Sequence, residues 1–178
     1  MESKAKLFGH PIHAVLVVFP IALFSVAVLF DVLYLSSSTD EYARFAFWSI
    51  SIGLVAALGA ALFGLIDWLG IRAGSRAKRV GAWHGLGNLA VVLLFVVSWA
   101  TRLGDLEYAP GILPFVVALI GIGIALVTAW LGGELVYRLR IGVDELANDD
   151  APSSLGAASI EAAGAQQGRA THRPTRVT

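Results

Sequence analysis

The chain has 178 residues, of which 57% are hydrophobic and 15% are charged, and its mean hydropathy is +0.73. Soluble domains are more polar than this, so the composition indicates an integral membrane protein. The 13 basic and 13 acidic residues cancel and give no indication of nucleic-acid binding, and the absence of cysteine excludes disulfides, thiolate nucleophiles and cysteine-ligated iron–sulfur clusters.

Four segments are long and apolar enough to cross a hydrocarbon core of about 30 Å, which takes roughly 20 helical residues. We predict them at 12–35, 45–69, 83–101 and 112–136. Small residues recur at every fourth position of the second and fourth segments, as is typical of helices that pack closely in a membrane. The sequence therefore predicts an all-α domain over 1–143, an integral membrane four-helix bundle.

The first segment opens with "GHPIHAVLVVFP", residues 9–20, in which His10 and His13 flank Pro11. Proline is tolerated in the first turn of a helix, so Pro11 marks the helix start and His13 falls about one turn further on. Pro20 lacks the N–H that would bond the carbonyl four residues earlier, which predicts a kink in this span.

The basic residues beside the segment ends predict the topology. Only Arg44 and Arg102 lie on one side of the predicted membrane, whereas eight basic residues lie on the other. Because basic residues are enriched on the cytoplasmic side, we predict a multi-pass protein of the inner (plasma) membrane with both termini in the cytoplasm. The eight are Lys4, Lys6, Arg72, Arg76, Lys78, Arg79, Arg138 and Arg140.

The remaining segment, 144–178, is rich in Ala, Gly, Ser and Thr and shows no apolar periodicity. Such a segment cannot bury enough apolar surface to offset the entropy lost on ordering. We therefore predict a disordered cytoplasmic tail, in which His172 is solvated.

Polar side chains near membrane depth are costly unless they are paired or hydrated, so they often mark functional sites. In each half of the chain a histidine opens a helical hairpin and a carboxylate closes it, 54 residues later in the first half and 50 in the second. This order suggests two repeated hairpins. The candidate site residues near the cytoplasmic ends are His10, His13, Asp67, His84, Asn88 and Glu134.

Four motifs occur in order along the chain: "GHPIH…FPIA" in the first segment, "LFGLIDWL" closing the second, a lone histidine opening the third and "LGGELVYRLRIGV" closing the fourth. Over about 9–143 the chain resembles the prokaryotic membrane-protein family catalogued as domain of unknown function 2231. The resemblance implies a four-helix integral membrane domain without an established activity. Some members are fused to a Rieske-type iron–sulfur domain, which implies a role in redox chemistry.

One departure from the family's pattern bears on the site. Many members carry a further histidine directly before the "FP" of the first segment, where this chain has Val18. A site that requires that imidazole would be impaired in this chain. The family's other histidine positions and its acidic positions correspond to His10, His13, His84, Asp67 and Glu134.

Three functions fit these residues. In the first, the histidines and carboxylates form one cluster that holds the bundle together, and the protein is an accessory or assembly subunit. In the second, His10 or His13 pairs with His84 as axial ligands of a b-type haem, with Asn88 adjusting the site, for electron transfer between a quinone and another redox protein. In the third, the three histidines and the two carboxylates bind a divalent metal.

No hydrolase elbow or phosphate-binding loop is present, so the sequence gives no basis for predicting an enzyme. Four spans leave little room for a solute pathway within one copy of the chain. A homo-oligomer could supply such a pathway, and the sequence is compatible with one. The predicted partners are the lipid bilayer and, for the haem function, a redox protein or a quinone.

Overall fold

The computed structural model describes residues 1–105, 107–145 and 147–155. Within this part of the chain, a short β-hairpin precedes four helical spans. The predicted all-α four-helix class is therefore confirmed. The elements are β1 (Lys6–Leu7), β2 (His10–Pro11), α1 (Ile12–Leu16), α2 (Val18–Ser37), α3 (Asp40–Gly70), α4 (Arg76–Ala100), α5 (Ile112–Gly133) and a π-helical turn (Glu134–Arg138).

The helices extend beyond the apolar stretches that predicted them. Helices α3 and α4 begin at Asp40 and Arg76, five and seven residues before the predicted starts. Asp40 and Glu41 interact favourably with the N-terminal end of the α3 dipole, and the Ser75 hydroxyl caps α4 by accepting from the Lys78 backbone N–H. These polar first turns continue each helix past the hydrocarbon core.

The first span is interrupted at Val17, where α1 ends and α2 begins. Pro20 has no N–H for the carbonyl of Leu16, and the next N–H, that of Ile21, reaches the Val17 carbonyl only at 3.4 Å. The helical hydrogen bonding of the first span is therefore interrupted where the sequence predicts a kink. This interruption lies one turn after His13.

Each half of the chain forms a helical hairpin, since α2 packs mainly on α3 and α4 mainly on α5. The two hairpins meet at Phe24 and Phe95, whose rings stack with centroids 3.9 Å apart and planes 7° apart. A Cβ on Gly53 would lie 2.7 Å from the Phe24 ring, and a Cβ on Gly121 would lie 2.9 Å from the Phe95 ring. The small-residue rows predicted from the sequence thus allow the central aromatic stack.

The buried positions of the two hairpins correspond at fixed intervals. Between the first span and α4 the interval is 71 residues, and between α3 and α5 it is 68 residues. The predicted repeat of two hairpins is therefore present in the packing. The corresponding buried pairs are Pro20 and Val91, Phe24 and Phe95, Ala27 and Ser98, Asp31 and Arg102, Ala46 and Pro114, Ile50 and Ala118, Gly53 and Gly121, and Ala60 and Thr128.

Candidate functional site

The centre of the candidate site is a pair of histidines, one from each hairpin. His13 and His84 are 71 residues apart, and their ring centroids lie 6.3 Å apart with the ring planes at 85°. The Nδ1 atom of His13 lies 2.8 Å from the carbonyl oxygen of Ala60, and the Nδ1 atom of His84 lies 2.8 Å from that of Thr128. A carbonyl oxygen only accepts, so we assign a donating N–H to each Nδ1. In the neutral ring this leaves the lone pair on Nε2.

Both imidazoles lie against glycines at corresponding positions. A Cβ on Gly64 would lie 2.8 Å from the Nδ1 atom of His13, and a Cβ on Gly132 would lie 3.2 Å from the Cε1 atom of His84. Glycine therefore allows each ring to approach the backbone of the partner helix closely. Together with the carbonyl hydrogen bond, this contact holds each ring in one orientation.

The two histidines differ in what surrounds Nε2. The Nδ2 atom of Asn88 lies 3.1 Å from the Nε2 atom of His84, and the hydroxyl of Thr128 donates to Oδ1 of Asn88 at 2.8 Å. In the first hairpin the positions that correspond to Asn88 and Thr128 hold Val17 and Ala60, whose side chains cannot hydrogen-bond. The structure therefore gives the second hairpin a polar network that the first one lacks.

Asp67 accepts hydrogen bonds from the N-terminal segment. The Ser3 hydroxyl lies 2.8 Å from both of its oxygens, and the backbone N–H groups of Lys4 and Ala5 lie 2.7 and 3.4 Å from Oδ1. The carboxylate thus fastens the residues before β1 to the end of α3. This contact differs from the predicted one, in which the carboxylates bond the histidines.

Glu134 forms an ion pair with Arg76 at 2.5 Å, which joins the π-helical turn to the start of α4. One repeat interval after Asp67 comes Leu135, so the two carboxylates are out of register by one residue. One residue turns a helix by about 100°, which is why the two acids do not occupy equivalent places.

His10 also lies apart from the histidine pair, since it belongs to β2 and its Nε2 atom lies 3.3 Å from the exposed hydroxyl of Ser154. Among residues 1–105, 107–145 and 147–155, no group of three or more histidine, aspartate or glutamate side chains is close enough to hold a metal ion. The structure therefore does not assemble the predicted cluster of three histidines with Asp67 and Glu134. Of those five residues it brings together His13 and His84.

An ion pair at the opposite end of the bundle was missed by the sequence analysis. The guanidinium of Arg102 donates to both oxygens of Asp31 at 2.7 Å, and both side chains are 0% exposed. Arg102 also donates to the carbonyl and the hydroxyl oxygen of Ser98, at 3.2 and 3.1 Å. The sequence placed Arg102 in a loop outside the membrane, and the structure buries it. Asp31 could have been found, because it is an acid within the predicted span 12–35.

The N-terminal segment folds across the end of the bundle that carries the eight basic residues, which we call the basic end. The Met1 amino group donates to the carbonyl of Arg140, and Gly142 donates its backbone N–H to the carbonyl of Met1. Glu2 accepts from the Lys6 ammonium and from the backbone N–H of Glu145, and these hydrogen bonds hold the pKa of its carboxyl below the usual range. The predicted tail begins here, but its residues 156–178, with His172, lie outside the described residues.

Comparison with known proteins identifies the family of this chain. No curated protein and no solved structure matches the chain. A family model described as "Predicted membrane protein (DUF2231)" matches residues 9–145, which include the histidine pair and all four spans. Because this match covers most of the chain, the protein belongs to the membrane-protein family catalogued as domain of unknown function 2231.

Proposed function

We propose that the protein is an electron-transfer protein that holds a b-type haem between His13 and His84. The observation that carries the proposal is the pair of imidazoles, one from each hairpin, with ring centroids 6.3 Å apart. Metal–imidazole bonds are about 2 Å long, so two rings that bind one ion through Nε2 have centroids about 6 Å apart. The spacing of this pair would therefore suit two imidazole ligands of one metal ion, such as the iron of a haem.

The hydrogen bonds behind the rings support the same role. Metal-binding histidines usually donate the other ring N–H to a carbonyl or carboxylate, which fixes the tautomer and the ring orientation. His13 and His84 both do so, through the carbonyls of Ala60 and Thr128. Facing helices of a bundle are a common frame for haem, and a bound haem would supply a one-electron carrier.

Two further residues bear on the fit. Asn88 holds the Nε2 atom of His84 at 3.1 Å, so this amide must release Nε2 before the ring can bind iron. Asn88 has a second partner, because its Oδ1 atom accepts from the Thr128 hydroxyl. Val18, where many relatives carry a histidine, is 55% exposed on the surface of the bundle. The position of the additional imidazole of those relatives is therefore an exposed one in this chain.

The test is the absorption spectrum of the detergent-purified protein, as isolated and after dithionite, with elemental analysis of the same sample. We expect a Soret band that shifts on reduction and about one iron per chain. His13→Gln and His84→Gln should lose the band, whereas His10→Gln should keep it because His10 is exposed beside Ser154. A colourless, iron-free wild type would refute the proposal, and a stoichiometric divalent metal in that sample would assign the pair to metal binding.

A second function, that of an accessory or assembly subunit, is favoured by the network around His84. Both ring nitrogens of His84 have partners, Thr128 and Asn88, and the network ties α4 to α5. If the protein is an accessory or assembly subunit, it should be colourless, and Asn88→Leu should lower its thermal stability without any spectral change. A haem protein would instead show an altered spectrum or potential in Asn88→Leu, because Asn88 lies beside the proposed ligand.

We also propose that the basic end faces the cytoplasm and that the protein lies in the inner (plasma) membrane. Burial of Arg102 leaves Arg44 as an exposed arginine of the opposite end, where it lies 3.8 Å from Glu41 and 3.4 Å from Glu107. This strengthens the charge asymmetry that orients membrane proteins. The natural chain has no cysteine, so Ser75→Cys and Ser38→Cys provide single labels at the two ends. An impermeant maleimide should label intact cells only through position 38, and the reverse pattern would invert the orientation.

A further inference from the structure

An apolar groove runs along the outer surface of the second hairpin, between α4 and α5. Its volume is about 450 Å³, and it opens to the outside of the bundle. Trp83 and Val127 are among its walls, and they are 69% and 60% exposed. The residues that matter to the argument are Val80, Trp83, Gly87, Ile124, Val127 and Leu131.

The groove depends on a glycine that the first hairpin replaces with a large side chain. Gly87 corresponds to Leu16 at the interval of 71 residues. Leu16 lies against α3, with its Cδ1 atom 3.9 Å from the position of a Cβ on Gly59. A Cβ on Gly87 would lie 2.4 Å from the methyl group of Thr128, so no side chain of residue 87 fills the corresponding space between α4 and α5. The groove is therefore a feature of the second hairpin and does not follow from the repeat.

The basic end of the groove carries more positive than negative charge. Arg76, one turn before Val80, forms the ion pair with Glu134 at 2.5 Å. Arg79 is adjacent to the groove residue Val80, and Arg138 comes seven residues after the groove residue Leu131. Both arginines are exposed, and within the described part of the chain no ion pair joins either of them to an acidic side chain. The described contact of the Arg79 guanidinium is with the loop carbonyl of Gly74 at 3.4 Å. Two arginine charges are thus available beside an apolar groove.

We propose that this groove binds one acyl chain of an anionic phospholipid, with the lipid phosphate held by Arg79 and Arg138. Hydrocarbon fits the apolar walls, and guanidinium groups bind phosphate through several hydrogen bonds at once. Basic pockets between membrane helices near a membrane surface bind anionic headgroups in the same way. The exposed Trp83 indole lies one turn from Arg79, as expected for a side chain at the level of the headgroups. The groove shares one wall residue, Thr128, with the network around His84, but neither imidazole lines it, so this proposal does not rest on the proposed function.

The test compares phosphatidylglycerol with phosphatidylcholine of the same acyl chains, added to the full-length, delipidated protein in detergent. Lipid retained per chain is measured by native mass spectrometry, and the midpoint of thermal unfolding is followed in parallel. We expect the wild type to retain about one phosphatidylglycerol and to unfold at a higher temperature with it than with phosphatidylcholine. Arg79→Gln/Arg138→Gln should lose this preference and retain the two lipids equally.

Two further variants distinguish the contribution of the groove to lipid binding from the contribution of the arginine charges. Val127→Trp fills the groove and should lose retained lipid of both kinds, whereas Arg44→Gln removes an arginine at the opposite end and should behave as the wild type does. Both arginines at the groove are exposed, so the double glutamine variant is expected to fold. Equal retention of the two lipids by the wild type, or an unchanged preference in the double variant, would overturn the proposal. Retention of a neutral molecule such as a quinone in place of the phospholipid would also overturn it.

Discussion

The buried ion pair between Asp31 and Arg102 allows the sharpest quantitative prediction. Asp31→Asn preserves the shape of the side chain but leaves the guanidinium without a countercharge, in a place where both residues are 0% exposed. Removal of one partner from a buried pair costs about 3–5 kcal/mol. Asparagine still provides one acceptor oxygen, and Ser98 still accepts at 3.2 and 3.1 Å, so we expect a loss near the lower bound, about 3 kcal/mol.

The double variant Asp31→Leu/Arg102→Met distinguishes the ion pair from simple loss of packing. Apolar residues of similar volume avoid the desolvation of two charges, and such replacements are often neutral or stabilising by about 1–4 kcal/mol. The double variant should therefore be at least as stable as the wild type, although Asp31→Leu alone is strongly destabilised. The charge-swapped Asp31→Arg/Arg102→Asp should recover only part of the stability, because Ala27 stands where Ser98 would have to accept from the new arginine.

The assay is reversible unfolding in mixed micelles of a mild detergent and dodecyl sulfate, followed by the fluorescence of the five tryptophans. Glu107→Gln is the matched control, since it breaks an exposed ion pair with Arg44 at the same end and should cost less than about 1 kcal/mol. The reasoning is refuted if Asp31→Asn costs no more than this control. It is also refuted if the double apolar variant is as unstable as the worse single variant.

Three further predictions concern packing and the N-terminal segment. Gly53→Val should lower the free energy of unfolding by about 1–3 kcal/mol because its Cβ would lie 2.7 Å from the central aromatic stack, whereas Gly123→Val, in open space, should not. Asp67→Asn removes the charged acceptor of the N-terminal segment, so trypsin should cleave that segment faster than in the wild type, and equal rates would contradict this. The pKa of Glu2 is lowered mainly by its hydrogen bond to the Lys6 ammonium, so its contribution is complete above the usual glutamate range and is lost as the pH falls through the lowered value. In an NMR titration, the resonance of the Glu145 backbone N–H, which donates to Glu2, should move with a midpoint at a pH below the usual glutamate range. Glu2→Gln should abolish this movement. A midpoint at an ordinary glutamate pKa would contradict the contact.

The four spans could be predicted because hydropathy and length alone decide whether a helix crosses a bilayer. The helix ends could not, because polar first turns such as that of α3 continue the helix beyond the apolar stretch. The interruption of the first span could be predicted because Pro20 necessarily leaves one carbonyl without its helical partner. These features depend on residues close together in the sequence.

The candidate site was harder to predict because it depends on register across the bundle. His13 and His84 were both candidates, but nothing local indicates that their rings lie 6.3 Å apart. Asp67 and Glu134 each close a hairpin that a histidine opens, but they differ from corresponding positions by one residue. This difference turns one carboxylate away from the place that the other occupies. The interval of 71 residues between the histidines, applied along the first span, would have paired Asp31 with Arg102.

Three of the side-chain pairs in contact across the two hairpins lie at different levels of the bundle, and one of these three joins unlike residues. Histidine faces histidine near the basic end and phenylalanine faces phenylalanine at the centre, but aspartate faces arginine at the far end. If a hairpin paired with a second copy of itself, Asp31 would face Asp31 of the other copy, or Arg102 would face Arg102. Two like charges would then be buried together without a countercharge. The aromatic and histidine pairs would tolerate that arrangement, whereas the charged pair would not. The ion pair therefore selects the association of the first hairpin with the second, which is the arrangement that brings His13 to His84.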